Sequence, residues 1–83
     1  MIKLYIRSGC PFCHKVLDGA SQLGLVEGKD YITIDAAPGT AGRETLMQLG
    51  GKAMVPFLVD GQTSMYESSD ILDYLQKWTN GHS

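Results

Sequence analysis

The stretch IKLYIRSGCPFC, residues 2–13, decides how this chain begins to fold. Apolar and other residues alternate along its first half, which is the pattern of a β-strand: Ile2, Leu4 and Ile6 against Lys3 and Tyr5. Pro11 is favoured at the first position of a helix. Behind it the apolar residues recur at helical spacing, at Val16, Leu17, Ala20 and Leu23. The stretch therefore predicts a strand, a short loop and a helix that opens at a cysteine.

The middle of the chain predicts another strand and another helix. Residues 31–34 are aromatic and β-branched, which favours a strand. A helix is predicted from near Thr40 to Leu49, with Leu46 and Leu49 pointing inward. The glycine pair 50–51 is expected to end this helix.

The last third of the chain predicts a hairpin and a helix. The pair Asp60-Gly61 lies between strand-like runs at 57–59 and 62–65, and an Asp-Gly pair suits a type I′ turn. A final helix is predicted to begin near Ser68 or Ser69, either of which can cap it. Its apolar residues repeat the spacing of the first helix: Ile71, Leu72, Leu75 and Trp78.

The elements follow the order β-α-β-α-β-β-α. Two strands joined through a helix are expected to be parallel, and the hairpin adds an antiparallel pair. We expect one α/β domain over residues 1–83, with a four-stranded mixed sheet flanked by three helices.

Composition excludes several classes of function. The 83 residues carry a net charge of −2, and their Lys and Arg residues are scattered, which argues against nucleic acid. No apolar run approaches the roughly 20 residues that cross a membrane. Met1 is followed at once by a strand rather than by a secretory signal, so we expect a cytoplasmic protein, and we expect a monomer.

Cys10 and Cys13 are the chain's two cysteines, and their spacing carries the chemistry. A loop this short stabilises little when closed, so the pair is expected to be catalytic or metal-binding rather than structural. The thiolate is the reactive form of cysteine, and the N-terminus of a helix favours an anion. Arg7 can add a positive charge nearby. We therefore predict a lowered pKa for Cys10 and a buried Cys13 with a higher pKa.

Other interpretations of the pair are weaker. Structural zinc needs four ligands, and only His14 and His82 are left to help the two cysteines, so zinc is not expected. Cys10-Pro11-Phe12-Cys13-His14 also matches the C-x-x-C-H pattern of haem attachment. That chemistry fits badly with alternating strands, so His14 is expected to be an exposed helix residue without a ligand role.

These residues resemble the glutaredoxin family, which has the thioredoxin-like fold, over nearly the whole chain. Cys10 and Cys13 resemble its dithiol site, with Phe12 in place of the usual tyrosine. Met54-Val55-Pro56 resembles its Thr-Val-Pro segment. The likeness implies a cis peptide bond before Pro56 and a backbone contact between Val55 and glutathione.

The start of the last helix differs from that family. Glu67 and Ser68 look like the Glu-Ser motif of glutathione transferase N-terminal domains, and of glutaredoxins similar to them. By this resemblance Glu67 would meet the α-amino group of glutathione and Ser68 its carboxylate. The glutaredoxin pattern would instead use Ser69 and Asp70. By resemblance, the glutathione-binding residues are Arg7, Phe12, Val55, Pro56, Glu67, Ser68, Ser69 and Asp70.

The resemblance implies a glutathione-dependent thiol–disulfide oxidoreductase. Cys10 would be the nucleophile and Cys13 the resolving thiol, acting on protein disulfides and glutathionylated proteins, with glutathione reductase as an indirect partner and no metal. The alternatives are an iron–sulfur cluster carrier, a glutathione transferase-like N-terminal domain and a thioredoxin-like partner of a protein reductase.

Overall fold

A computed structural model describes residues 1–82 and contains the seven predicted elements in the predicted order. The strands are β1 (Ile2–Ile6), β2 (Tyr31–Asp35), β3 (Phe57–Asp60) and β4 (Thr63–Met65). The helices are α1 (Pro11–Gln22), α2 (Ala41–Gly50) and α3 (Ser68–His82). Within the described residues, no helix is both long enough and apolar enough to span a membrane.

The four strands form one mixed sheet in the order β2-β1-β3-β4. Strand β1 runs parallel to β2, with Ile2 opposite Tyr31, and antiparallel to β3, with Leu4 opposite Leu58. Strands β3 and β4 form the antiparallel hairpin. The predicted four-stranded α/β architecture, a thioredoxin-like fold, is confirmed.

Both faces of the sheet are buried. One face packs against α1 and α3 through a cluster that includes Ile2, Leu4, Val16, Ala20, Leu58, Ile71 and Leu75. On the opposite face, Tyr5 is 3% exposed and packs with Ala36, Leu46 and Phe57. Tyr5, at an alternate position of the strand pattern, is therefore a core residue as well. Strand β1 is central, so helices cover it on both sides.

Helix α2 supplies one of its two predicted inward leucines. Leu46 is fully buried, whereas Leu49 is 54% exposed, so the prediction for Leu49 is wrong. At this end of the helix, Tyr66 lies against Gly50 and packs against the same cluster as Leu46. The tyrosine occupies space beneath the last turn, and Leu49 is left at the surface.

The ends of α2 are those predicted. The side-chain oxygen of Thr40 accepts a hydrogen bond from the backbone N–H of Arg43 at 3.2 Å, which caps the N-terminus. Gly51 ends the helix with a left-handed φ of 79°. This backbone conformation is one that glycine adopts without steric cost.

The hairpin turn and the cap of α3 differ from the predictions, although α3 begins at Ser68 as predicted. Asp60 pairs with Thr63, and Gly61 has a φ of 63°, while no other type of residue in the described chain has positive φ. A type I′ turn needs positive φ at both central residues, so the turn follows the II′ pattern instead. The carbonyl of Glu67 accepts the N–H of Ile71 at 2.9 Å, so Glu67, not a serine, precedes α3.

Candidate active site

Cys10 occupies the N-cap position of α1. Its backbone is extended, with φ −87° and ψ 116°, and Pro11 follows as the first residue of the helix. The carbonyl of Cys10 accepts the N–H of His14 at 3.1 Å, while its own N–H donates to the carbonyl of Arg7 at 3.3 Å. The half-buried Cys10 thiol therefore sits where unpaired backbone N–H groups of a helix are concentrated.

The pKa of the Cys10 thiol is lowered. Its partial burial acts to raise the pKa, but hydrogen bonding from the backbone N–H and thiol of Cys13 and from the backbone N–H of Phe12 outweighs it. The charge of Arg7 lowers the pKa further. The Cys10 side chain makes no regular capping hydrogen bond, and the N–H groups at the helix N-terminus favour the thiolate through their dipoles as well.

Cys13 lies one turn further along α1 and is 2% exposed. Burial raises the pKa of its thiol to about 11, and the neighbouring Cys10 raises it as well. Both cysteines are free thiols in this structure. The predicted contrast between an ionisable Cys10 and a protonated Cys13 is therefore present.

A groove of about 130 Å³ opens beside Phe12, which separates these cysteines in the chain, and neither cysteine lines it. Its walls come from three separate segments of the chain: Phe12, then Met54, Val55 and Pro56, then Tyr66, Glu67 and Ser68. The Val55–Pro56 peptide bond is cis, as the family resemblance implied. The fold thus brings the start of α1, the segment before β3 and the start of α3 to one place.

The structure separates the two rival carboxylates. Glu67 lines the groove beside Phe12. Asp70, which is exposed, lines a different depression, together with Met65, Asp73, Tyr74 and Lys77. Ser69 is exposed and is not among the groove residues, and Arg7 is an exposed loop residue that acts on Cys10 through its charge.

Two groove residues, Met54 and Tyr66, are absent from the predicted site. Met54 is 45% exposed, and Tyr66 is half-buried. The only sequence signal for them is their position next to Val55 and Glu67 respectively. Phe12, which was predicted, is 60% exposed and gives the groove an apolar rim.

No group of three or more metal-ligating side chains occurs within the part of the chain that the structure describes. His14 is an exposed residue of α1, in agreement with its predicted position. Another depression, of about 500 Å³, lies between α1 and α3 and is lined by residues such as Lys15, Asp18 and Leu72. We place the candidate site at the smaller groove because it brings Phe12, from between the two cysteines, together with the cis Val55–Pro56 segment and the start of α3.

The sheet order and the thiol at the start of α1 define a domain of the thioredoxin-like class. Within that class, the chain belongs to the glutathione S-transferase N-terminal domain family, whose sequence model matches residues 4–82. This membership confirms the likeness that Glu67 and Ser68 indicated.

Solved structures share this fold. Glutathione transferase Omega 3C from Trametes versicolor superimposes with a TM-score of 0.81 at 18% identity, covering 99% of this chain and 35% of that one. The trimeric glutathione transferase TDR1 of Leishmania gives 0.74 at 29% identity, covering 92% and 16%. A Sulfitobacter glutathione transferase homologue, solved with bound glutathione, gives 0.74 at 21% identity, covering 98% and 38%.

The chain thus spans well under half the length of each of these proteins. A search of curated proteins finds no match to the sequence.

Proposed function

We propose that this domain is a glutathione-dependent thiol–disulfide oxidoreductase of the glutaredoxin type. The observation that carries the proposal is the contrast between the two thiols at the start of α1. Cys10 has a lowered pKa and is only half-buried, while Cys13 is buried and has a pKa of about 11. A thiolate attacks a disulfide, and a protonated neighbour leaves it free to do so.

The first half-reaction forms a mixed disulfide. The Cys10 thiolate attacks the glutathione sulfur of a glutathionylated protein, so that a bond forms between Cys10 and glutathione. The protein thiolate leaves and takes a proton from water. The substrate disulfide is reduced, and Cys10 is oxidised.

A second glutathione completes the cycle. Its thiolate attacks the glutathione sulfur of the mixed disulfide, forming oxidised glutathione and releasing the Cys10 thiolate. For a protein disulfide, Cys13 instead loses its proton and attacks the sulfur of Cys10, releasing the protein. The resulting Cys10–Cys13 disulfide is then reduced by two glutathione molecules, and glutathione reductase would regenerate them.

The groove offers partners to both charged groups at the γ-glutamyl end of glutathione. Glu67 offers a carboxylate to the α-amino group, and Ser68 lies in the first turn of α3, where backbone N–H groups favour a carboxylate. Val55 would pair with the backbone of the glutathione cysteine, as the family resemblance implies. Of the two rival carboxylates, the groove favours Glu67, since Asp70 lines another depression.

A second candidate function is that of a glutathione transferase N-terminal domain, which the family membership favours. In this case the thiolate of bound glutathione would attack an electrophilic carbon instead of a sulfur and displace its leaving group, such as the chloride of 1-chloro-2,4-dinitrobenzene. The resolving thiol distinguishes the two functions, because a transferase step leaves no mixed disulfide for Cys13 to attack.

The test is steady-state reduction of a glutathionylated peptide with glutathione, NADPH and glutathione reductase, beside conjugation of glutathione to 1-chloro-2,4-dinitrobenzene. Turnover of the peptide that needs Cys10, with conjugation at background, supports the oxidoreductase. Conjugation without peptide turnover would instead establish the transferase. A folded, reduced protein without either activity would contradict both.

A further inference from the structure

Tyr66 makes a two-way hydrogen bond with the backbone of Lys52. Its hydroxyl accepts the N–H of Lys52 at 3.0 Å and donates to the carbonyl of the same residue at 2.9 Å. The two residues lie 14 positions apart in the chain. One side-chain oxygen thereby holds both backbone groups of a loop residue that belongs to no helix or strand.

The ring of Tyr66 is itself fixed by packing. The centroids of the Tyr66 and Phe57 rings are 4.4 Å apart, and the Lys52 ammonium lies 6.0 Å from the centroid of the Tyr66 ring. At Gly50, a Cβ atom would stand 2.0 Å from the Tyr66 hydroxyl oxygen. The hydroxyl reaches Lys52 only because the C-terminal end of α2 has no side chain at this position.

The bond joins two segments that both line the glutathione groove. Tyr66 directly precedes Glu67 and Ser68, while Lys52 begins the loop that leads to Met54 and Val55. No other side-chain hydrogen bond described in the structure connects these two segments. A loop of this kind gains order mainly from such a fixed point, since it has few other partners.

Building on the proposed function, we propose that Tyr66 is a positioning residue for glutathione. Its hydroxyl fixes the loop that bears Val55 at a set distance from Glu67 and Ser68. The two sides of the groove are then already ordered before glutathione binds. Binding that needs no prior ordering is tighter. Tyr66 need not touch a reacting atom for this effect.

Tyr74 provides a matched control. Its hydroxyl donates to the carboxylate of Asp60, again 14 residues away, and Tyr74 is also half-buried. That bond joins α3 to the β3–β4 hairpin and lies outside the groove. Tyr66→Phe and Tyr74→Phe therefore remove the same atom and one tertiary connection each, but only the first connection spans the groove.

The experiment measures glutathione binding by calorimetry, together with KM and kcat in the coupled assay, for wild type and both variants. For Tyr66→Phe we expect the Kd and KM for glutathione to rise about fivefold, within the range that the loss of its two hydrogen bonds to Lys52 can produce, with kcat unchanged at saturating glutathione. Tyr74→Phe is expected to lower the melting temperature while its Kd and KM stay at wild-type values. Amide exchange at Lys52 should become faster in Tyr66→Phe alone.

Three results would overturn the proposal. If Tyr66→Phe kept the wild-type Kd although Lys52 exchanged faster, the bond would be purely structural. If both variants weakened binding equally, the effect would follow general stability rather than position. If wild type itself bound no glutathione, the proposed function would fail first. This outcome differs from the other two, in both of which wild type binds glutathione with a measurable Kd.

Discussion

Cys10 and Cys13 lie one helical turn apart, yet the pKa values of their thiols are displaced in opposite directions. The backbone N–H groups at the start of α1 and the Cys13 thiol stabilise an anion on Cys10, whereas burial opposes one on Cys13. Cys13 lies in the first turn of α1 as well, so its burial, and not its distance from the helix N-terminus, separates the two pKa values. The different burial of the two cysteines therefore assigns them different chemical roles.

Replacing each cysteine separately tests these roles. Cys10→Ser is expected to reduce turnover of a glutathionylated peptide to background, because no nucleophile remains. Cys13→Ser is expected to keep this activity and to lose most reduction of a protein disulfide, which needs the resolving thiol. The coupled NADPH assay measures both. Activity retained by Cys10→Ser would show that another group is the nucleophile.

The lowered pKa of Cys10 predicts the pH dependence of its alkylation. Iodoacetamide reacts with the thiolate, so the rate should rise with a midpoint below the ordinary thiol value of 9.0. Arg7→Gln should move this midpoint upward by a small amount, since Arg7 is exposed. Lys29→Gln, on a distant exposed loop, is the control and should leave the midpoint in place.

Cys13 predicts a loss of stability at high pH. A thiol whose pKa is higher in the folded than in the unfolded protein stabilises the fold at pH values below its ordinary 9.0. That contribution is lost as the pH rises through the folded value of about 11. Urea denaturation from about pH 8 to about pH 11 should show that the free energy of unfolding declines more steeply with pH for wild type than for Cys13→Ser. Parallel declines would contradict the assignment.

Two leucines of α2 give a matched test of the core. Leu46→Ala is expected to cost about 3 kcal/mol in the free energy of unfolding, because it leaves a cavity beneath the helix. Leu49→Ala makes the same chemical change at a side chain that is 54% exposed, and it should cost less than about 0.5 kcal/mol. Urea denaturation of both variants measures the difference. Equal costs would mean that Leu49 is buried after all.

The cap of α2 is a separate source of stability. Thr40→Ala removes the side-chain oxygen that accepts the Arg43 N–H, and it should cost about 1 kcal/mol. Thr45→Ala serves as the control, since the Thr45 hydroxyl only donates to a carbonyl within the helix, that of Ala41. The control should not be destabilised, because alanine favours a helix interior. Thermal denaturation compares them.

Local patterns predicted most of the fold. Period, capping residues and glycine positions placed all seven elements, because these signals depend on neighbours in the sequence. The errors concern three-dimensional surroundings. Whether Leu49 is buried depends on Tyr66, which occupies the space beneath the last turn of α2, and the spacing within a helix cannot show that contact. The prediction of the turn type was wrong because Asp60 pairs with Thr63, so that Gly61 and Gln62, and not Asp60 and Gly61, are the central residues of the turn.

The residues of the candidate site also divide into those that the sequence predicted and those that it did not. The chemistry of Cys10 and Cys13 follows from their place on a helix, so residue spacing was enough. The groove residues Val55, Glu67 and Ser68 came from resemblance to known families. Tyr66 was missed because its hydrogen bond reaches a backbone 14 positions away, and no pattern in the sequence announces that contact.

Helix α2 has a glycine near each end, Gly42 and Gly50, at a point of close contact with another part of the chain. A Cβ at position 42 would stand 2.0 Å from the carbonyl oxygen of Asp35, just as one at position 50 would meet Tyr66. Gly51, in contrast, is constrained by its φ alone, with open space around it. In a saturation library selected for activity, positions 42 and 50 should accept glycine only, while position 51 should also admit asparagine, which tolerates a left-handed backbone. Gly42 and Gly50, which have no side chain, therefore limit which substitutions α2 can accept.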